Sequence, residues 1–213
     1  MPKRTHEEAQ QTKKQIMDAA LELFSKKGYE KTSLSDVARY AGVTRGAIYW
    51  HFENKGELLI ELMQSIAEEK SLVNPLLAAA KETEFDPLGC LRKWLYAHGS
   101  SAAMQLFVSE LAKIGSSVIM GIIGEEELHS RMLEMIRNRV FFLKEAIRNA
   151  VRRRQLPAYV DIDLAAESVN LMLVGFVQVL RKDSEFWTQE RYYRLVDACL
   201  ISLMSIKKET KRF

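Results

Sequence analysis

Apolar residues recur every three or four positions along most of this chain, which is the spacing of one face of an α-helix. The pattern predicts long helices over residues 7–27, 54–80, 125–152, 161–182 and 188–207, another over 102–114, and shorter helices after Ser33, Thr44 and Asp86. The 213 residues include 4 Pro and 10 Gly, so chain breakers are few. We therefore expect an all-α protein of about nine helices.

Residues 33–57 carry closely spaced signals for the starts and ends of helices. Ser33 with Asp36 three positions later forms a capping box, Gly42 suits the left-handed residue that ends a helix, and Thr44 can cap the next helix. Small or branched apolar residues stand where two short, steeply crossing helices would touch. They are Val37, Ala38, Val43 and Ile48. This predicts a helix-turn-helix, which the helix over 7–27 completes to a three-helix N-terminal bundle.

The residues predicted to point outward from the second helix of this motif are polar, aromatic or cationic. The N-terminal end of such a helix meets base edges in the major groove of DNA. Thr44 and Arg45 are therefore the candidates for base contact, and Arg45 suits guanine. The small residues that would let the helix lie close to the groove are Gly46 and Ala47. For Trp50 and Phe52, packing in the core and contact with DNA fit the pattern equally well.

The segment from Gly42 to Leu58 closely resembles the recognition helix and following turn of the TetR family of bacterial transcriptional repressors. Within that family it looks most like the AcrR-type repressors of multidrug efflux pumps. Residues 86–90 and 150–157 are also similar to efflux-repressor sequences. The resemblance implies a homodimeric, ligand-responsive repressor of a multidrug efflux operon, which binds a near-palindromic operator and is released by hydrophobic small molecules.

The resemblance also assigns phosphate contacts. Tyr49, His51 and Lys55 match the family's phosphate-contacting positions. A lone histidine is usually structural, but the place of His51 beside Tyr49 in the motif favours DNA contact. Ser33 can also donate to a phosphate, although its capping role alone accounts for it.

The helix over 161–182 has almost no polar face between Ser168 and Leu180. A helix that is apolar all round is buried all round. One face would serve the core of its own subunit and the other a second copy, together with the final helix, as the resemblance also implies. The candidate interface residues are Leu171, Phe176, Leu195, Cys199 and Leu203. Core packing within one chain is the alternative.

The resemblance places an effector pocket between the fourth helix and the penultimate one. Periodicity and position nominate ten lining residues: Met63, Ile66, Trp94, His98, Phe107, Arg139, Asn170, Leu173, Val174 and Val177. Each apolar member taken singly is more often core than lining. His98 and Asn170 carry more information, because polar atoms among apolar neighbours need a partner, which is protein, water or effector.

The net charge of +3 is unevenly distributed. Residues 1–56 carry ten Lys and Arg against seven Asp and Glu, whereas the remainder is balanced. All of the excess therefore lies in the segment expected to meet DNA. The run Arg152–Arg154 could also be a nucleic-acid patch, but its place at a helix end beside Pro157 favours a solvated cap.

We expect a DNA-binding domain over residues 1–54 and an effector-binding and dimerisation domain over 55–213. No apolar stretch approaches the roughly 20 residues that span a bilayer, which predicts a soluble cytoplasmic protein. Cys90 and Cys199 match no metal or redox spacing and are expected to be reduced thiols. The four histidines are scattered, so neither a cofactor nor enzyme activity is expected. A sensor of one specific metabolite, or a small-molecule binding protein on the same fold, remains an alternative.

Overall fold

The computed structural model of the protein describes residues 6–69, 74–98, 126–180 and 188–208, with the side chains of residues 66–69 and 177–180 outside that description. Within these ranges the chain forms nine α-helices. They are α1 (His6–Lys27), α2 (Leu34–Tyr40), α3 (Arg45–His51), α4 (Lys55–Glu69), α5 (Asn74–Ala79), α6 (Pro87–Ala97), α7 (Glu126–Arg152), α8 (Ile162–Leu180) and α9 (Gln189–Ser202), which a 3-10 turn (Leu203–Ser205) follows. The described residues contain one isolated bridge, Val160 to Lys207, and no strand. The prediction of an all-α fold is confirmed.

Local signals set several of the helix ends. Gly28 adopts a φ of 84° and donates its amide to Phe24 O at 2.9 Å, which ends α1. Asp86 accepts from the amide of Gly89 at 2.9 Å and so caps α6, whose first residue is Pro87. These ends lie where the sequence signals predicted them.

The helix predicted over residues 54–80 is described in two parts, α4 (Lys55–Glu69) and α5 (Asn74–Ala79). Residues 70–73 between them lie outside the described residues. The prediction of one continuous helix here stays a prediction. The helix predicted over 102–114 lies outside the described residues.

The described residues form two compact units. The first contains α1 to α3, α4 up to Ile66, and the start of α7 up to Met132; the second contains the remaining described residues. The first unit is built on Ile16, Leu23, Val37, Ile48 and Leu58, each less than 5% exposed. The domain boundary after residue 54 stays a prediction.

The core of the second unit is assembled from α5 to α9. Leu91, Leu95, Leu143 and Ile147 are fully buried there. Tyr192 of α9 is also fully buried, and its hydroxyl donates to Leu95 O at 2.6 Å. A buried phenol needs such a partner, so this bond fixes α9 against α6.

Arg152 and Arg153 hold the loop between α5 and α6. Arg152 pairs with Glu82 at 2.6 Å, and Arg153 donates to the carbonyls of Glu82 and Glu84 at 2.8 Å each. Arg154 adopts a φ of 61° and ends α7. The prediction of a helix end is therefore correct for this run, but two of its arginines make tertiary contacts rather than pointing only to solvent.

Candidate functional site

The start of α2 is fixed by bonds between neighbouring residues. Ser33 accepts from the amide of Asp36 at 3.1 Å, while the Ser33 amide and hydroxyl donate to the Asp36 carboxylate at 3.1 and 2.6 Å. These bonds from Ser33 hold the pKa of Asp36 below its ordinary value. Asp36 also pairs with Arg39. Because its hydroxyl serves the cap, Ser33 does not need DNA to explain its presence.

The turn between α2 and α3 is closed by backbone bonds. Gly42 has a φ of 68°, Val43 donates to Ala38 O at 3.0 Å, and Gly42 donates to Arg39 O at 3.3 Å. This pair of bonds around a left-handed residue is a Schellman motif. Thr44 then caps α3 by accepting from the amide of Ala47 at 3.1 Å. The chain thus passes from the end of α2 to the start of α3 in four residues.

The two helices pack through small and branched side chains. Val37 and Ala38 of α2 and Ile48 of α3 are at most 1% exposed. Phe52, directly after α3, is also 1% exposed. Of the two possibilities for Phe52, the structure favours the core.

The outer face of α3 is left free by this packing. Thr44, Arg45 and Gly46 are exposed, Ala47 is half-buried, and Tyr49 is 53% exposed. A Cβ added at Gly46 would meet nothing closer than the Thr44 hydroxyl at 4.0 Å. The protein itself therefore has room for a side chain at this position.

Trp50 is the large apolar side chain that the sequence interpretation left unassigned. It is 73% exposed, and its ring meets that of His51 edge-on at 4.6 Å. Helical periodicity could have predicted this exposure, because Trp50 lies two positions from buried Ile48 and two from buried Phe52. Trp50 is therefore exposed like its neighbour Tyr49 and is not part of the core.

His51 and Lys55 lie deeper than the other candidates. His51 is half-buried, with its ring 6.1 Å from that of Phe52. Lys55 donates its ammonium to Tyr29 O at 3.0 Å and lies over the Tyr29 ring at 4.1 Å. An ammonium has three donors, so Lys55 can hold this bond and still donate elsewhere.

An open groove of about 510 Å³ lies beside α3 in the first unit. Its lining includes Ser33, Tyr49 and Lys55, three of the predicted DNA-contacting residues, together with Glu30 and Lys31. The structure thus brings hydroxyl and ammonium donors to one concave surface next to α3, together with the carboxylates of Glu30, Asp36 and Glu53. The donors suit phosphate oxygens, whereas the carboxylates repel them.

A second group of predicted residues meets in the other unit. Arg139 of α7 donates its Nε to the side-chain oxygen of Asn170 on α8 at 2.8 Å. His98, which caps α6, has its Nδ1 2.8 Å from Trp94 O and its ring edge-on to the Trp94 indole at 5.0 Å. Burial is the main cause that lowers the pKa of His98 to about 4, and the nearby charge of Arg139 lowers it further.

The other effector candidates are placed differently. Trp94 and Leu173 are each 3% exposed, whereas Val174 is 39% exposed and Met63 lies half-buried in the first unit. Phe107 lies outside the described residues, as do the side chains of Ile66 and Val177. The structure therefore brings together Trp94, His98, Arg139 and Asn170.

The candidate interface residues divide into buried and exposed ones. Phe176 is 4% exposed and stacks on Tyr192 at 3.7 Å, and Leu203 is fully buried. Both lie in the core of their own chain, which was the stated alternative. Leu195 and Cys199 are half-buried against that core, and Leu171 is 67% exposed. The exposed apolar residues that the prediction missed on α8, α9 and the 3-10 turn are Leu164, Ile201 and Met204.

Two other classes of site were sought in the part of the chain that the structure describes. No three His, Cys, Asp or Glu side chains gather there as metal ligands would. None of its helices has the length and apolar content that crossing a membrane requires.

Comparisons with known proteins agree with this architecture. Residues 16–62 match the family model described as "Bacterial regulatory proteins, tetR family". The chain is 38% identical over 185 residues to the probable HTH-type transcriptional regulator ArpR of Pseudomonas putida, covering 83% of each chain. It is also 38% identical over 186 residues to the HTH-type transcriptional regulator TtgR from a strain of the same species, covering 84% of each.

Solved structures show the same fold. SmeT, the repressor of the Stenotrophomonas maltophilia multidrug efflux pump SmeDEF, superposes with a TM-score of 0.70 at 23% identity over 89% of each chain. Its complex with triclosan gives a TM-score of 0.76 at 22% identity over 90% of each chain. The family model covers α3 and its caps, and the two relatives extend the likeness over most of the chain. This chain therefore belongs to the TetR family of bacterial regulatory proteins, which are DNA-binding regulators of transcription.

Proposed function

We propose that the protein is a homodimeric repressor that binds a near-palindromic operator and leaves it when a hydrophobic small molecule binds. Two α3 helices related by a two-fold axis would enter major grooves about 34 to 36 Å apart. The observation that carries the proposal is the free outer face of α3, where Arg45 and Tyr49 stand exposed on a capped, tightly packed helix. We propose that it acts in the cytoplasm, where such an operator would be.

Operator binding is tested with DNA selected by the protein from a random pool. Arg45→Ala is expected to lose about 1 to 3 kcal/mol of binding free energy and to relax the preference for one base pair. Tyr49→Ala is expected to weaken binding to all sequences, as loss of a phosphate contact does. Arg137→Ala, at an exposed position of α7, is the control for charge. Unchanged binding by both α3 variants would refute the proposed interface.

Gly46 offers a sharper test because the protein has room for a larger residue there. Gly46→Ala introduces no contact under 4.0 Å within the chain, and alanine favours an exposed helix by up to about 1 kcal/mol. We expect a variant that is at least as stable as the original but binds the operator less tightly. Full operator affinity in Gly46→Ala would contradict close approach of α3 to the groove.

Salt dependence tests the phosphate contacts together. Each neutralised phosphate releases counterions, so affinity should fall steeply as salt increases. Operator affinity that did not change between dilute and physiological salt would contradict the phosphate contacts proposed for Tyr49, His51 and Lys55.

Dimerisation through α8 and α9 is supported by exposed apolar residues on these helices. Leu164 and Leu171 of α8 are 51% and 67% exposed, and Ile201 of α9 is 66% exposed. Leu164 and Leu171 are seven residues apart and therefore share one face of α8, and a contiguous exposed apolar face is typical of an interaction surface. Leu171→Glu is expected to shift sedimentation toward the monomer, whereas Phe85→Glu, at another exposed apolar residue, should leave it unchanged.

Control of an efflux operon is proposed because SmeT, which has the same fold, is named as an efflux-pump repressor. Triclosan, the ligand of one SmeT structure, is a suitable first probe in an operator-release assay, together with dyes and plant phenolics. Release by several unrelated compounds would indicate a broad pocket. Release by one compound alone would favour the sensor of a specific metabolite. A full switch from bound to free requires about ten-thousand-fold preference of the effector for the free form.

A further inference from the structure

Arg139 is a half-buried cation without an anionic partner in the described part of the chain. Its Nε donates to Asn170 at 2.8 Å, and none of the ion pairs among described residues includes it. Arg92, by comparison, meets Asp197 with two bonds of 2.7 and 2.8 Å. Among the described residues, the charge of the Arg139 guanidinium is therefore uncompensated.

Burial makes the charged form of Arg139 unfavourable. His98, whose pKa is lowered by the charge of Arg139, meets the ring of Trp94 at 5.0 Å, and Trp94 is 3% exposed. Burial of the guanidinium lowers the pKa of Arg139 below its ordinary value. Removing a cation from water without an anion nearby is unfavourable, and an anion placed beside it recovers much of that free energy.

His98 does not supply the missing negative charge. Its Nδ1 lies 2.8 Å from Trp94 O, and because a carbonyl only accepts, Nδ1 carries the hydrogen. A neutral ring then presents Nε2 as an acceptor. Among the described residues, the polar groups near Arg139 are therefore a neutral imidazole and the Asn170 amide, each still partly accessible.

The terminal nitrogens of Arg139 remain for a ligand. Within the described residues they make no hydrogen bond, and no side-chain nitrogen or oxygen there is both fully buried and without a partner. They therefore reach accessible space. Two parallel N–H groups of a guanidinium match the two oxygens of a carboxylate.

We propose that the effector carries an anionic oxygen group, such as a carboxylate, on a flat apolar body, and that this group pairs with the terminal nitrogens of Arg139. The proposal rests on the proposed function in one respect, namely that the helical unit holding Arg139 binds an effector. The proposal specifies in addition that the effector is anionic. An apolar pocket alone would not distinguish an anionic effector from a neutral one. Neutral and cationic compounds of the same shape are expected to bind less tightly.

The test uses acids and their uncharged amides as matched pairs. Benzoate and benzamide, 2-naphthoate and 2-naphthamide, and biphenyl-4-carboxylate and its amide are titrated into the full-length protein by calorimetry. At least one acid is expected to bind about tenfold or more tightly than its amide, as for a charge-assisted hydrogen bond. If no acid binds more tightly than its amide, absence of binding included, the proposal is overturned.

Variants assign the preference to Arg139. Arg139→Gln keeps an amide able to bond to Asn170 but removes the charge, so the acid and its amide should then bind equally. Arg139→Lys keeps the charge and should retain part of the preference. Arg137→Gln, exposed on the same helix, should behave like the original protein. An undiminished preference in Arg139→Gln would overturn the assignment even if that variant is less stable.

Operator release separates this inference from the proposed function. If an acid binds through Arg139 but leaves operator binding unchanged, the inference stands and ligand-responsive repression fails. If uncharged compounds release the operator equally from the original protein and from Arg139→Gln, and acids show no advantage, repression stands and the inference fails.

Discussion

In the helix-turn-helix, polar side chains cap the helices by bonding to amides three residues away, whereas in the second unit several polar side chains also bond across 31 to 105 residues. Ser33, Thr44 and Asn54 each accept from an amide three positions later. Arg139 meets Asn170, and Arg92 meets Asp197. The local capping bonds form between residues of the same short segment. The long-range bonds form only after α6, α7, α8 and α9 have packed.

The range of these hydrogen bonds affects which side chains each region leaves exposed. A helix held by its own caps can leave its outer face free, as α3 does for Arg45 and Tyr49. A buried polar group needs partners from other helices, because an unpaired one costs free energy. Local bonds therefore leave the outer face of α3 exposed, while long-range bonds fix the interior of the second unit.

The largest effect is expected from breaking a long-range bond. Asn149 is 2% exposed, and its amide donates to Ala79 O at 3.1 Å across 70 residues. Asn149→Ala leaves that carbonyl without this donor and should reduce the free energy of unfolding by about 1 to 3 kcal/mol in a urea titration. Asn138→Ala, exposed on the same helix, is the control. Equal free energies of unfolding for the two variants would show that the bond from Asn149 to Ala79 O does not stabilise the second unit.

A smaller loss is expected from the local turn. Gly42 has a φ of 68° and no atom near an added Cβ, so Gly42→Ala strains the backbone without a clash. The expected cost is about 1 to 2 kcal/mol of unfolding free energy, measured by the same titration. An unchanged midpoint would mean that the turn relaxes to another conformation.

Arg154 is the left-handed residue at the end of α7, as Gly42 is at the end of α2. A substitution at Arg154 is expected to raise the free energy of unfolding rather than lower it. Arg154 is exposed and holds a φ of 61° at the end of α7, where glycine is more favourable. Arg154→Gly is predicted to raise the unfolding free energy by up to about 1 kcal/mol, because relief of strain exceeds the entropy cost of glycine. Thermal unfolding that moves downward would show that the Arg154 side chain contributes contacts of its own.

A further effect depends on pH. Burial lowers the pKa of His98 to about 4 from an ordinary value of 6.5, so between these values the unfolded chain binds more protons. Stability should therefore be fully present above about pH 6.5 and decline as the pH falls toward 4. His98→Asn should flatten this decline in urea titrations at about pH 7.5 and about pH 5, whereas His6→Asn, exposed in α1, should not. Parallel declines in all three proteins would contradict burial of a neutral His98.

The helix ends were predictable wherever one residue type answers a backbone requirement. Ser33, Gly42 and Thr44 act as the sequence indicated, and so does Asp86 at the start of α6. Within the motif, the burial of Ile48 and the exposure of Tyr49 followed from helical periodicity alone. The comparisons confirmed the family resemblance, which the same residues carry.

The sequence did not predict which side chains of an apolar helix are buried, because the pattern gives residue types and not the packing of the helices. Phe176 and Leu171 are both large apolar residues of α8, yet one is 4% and the other 67% exposed. The pattern of an all-apolar helix does not say which face its own chain covers. The sequence likewise predicted a solvated Arg153, whereas in the structure its guanidinium bonds to the loop between α5 and α6.

The sequence by itself determined the helices, their caps, the helix-turn-helix and the family, because these depend on residues within one or two turns of each other. The tertiary structure decided that Arg139 meets Asn170 beside a neutral His98, that Phe176 belongs to the core, and that Leu164 and Ile201 stay exposed. The physical reason is distance along the chain. A cap is satisfied by its neighbours, whereas the partner of a buried charge is known only when helices from distant parts of the sequence have come together.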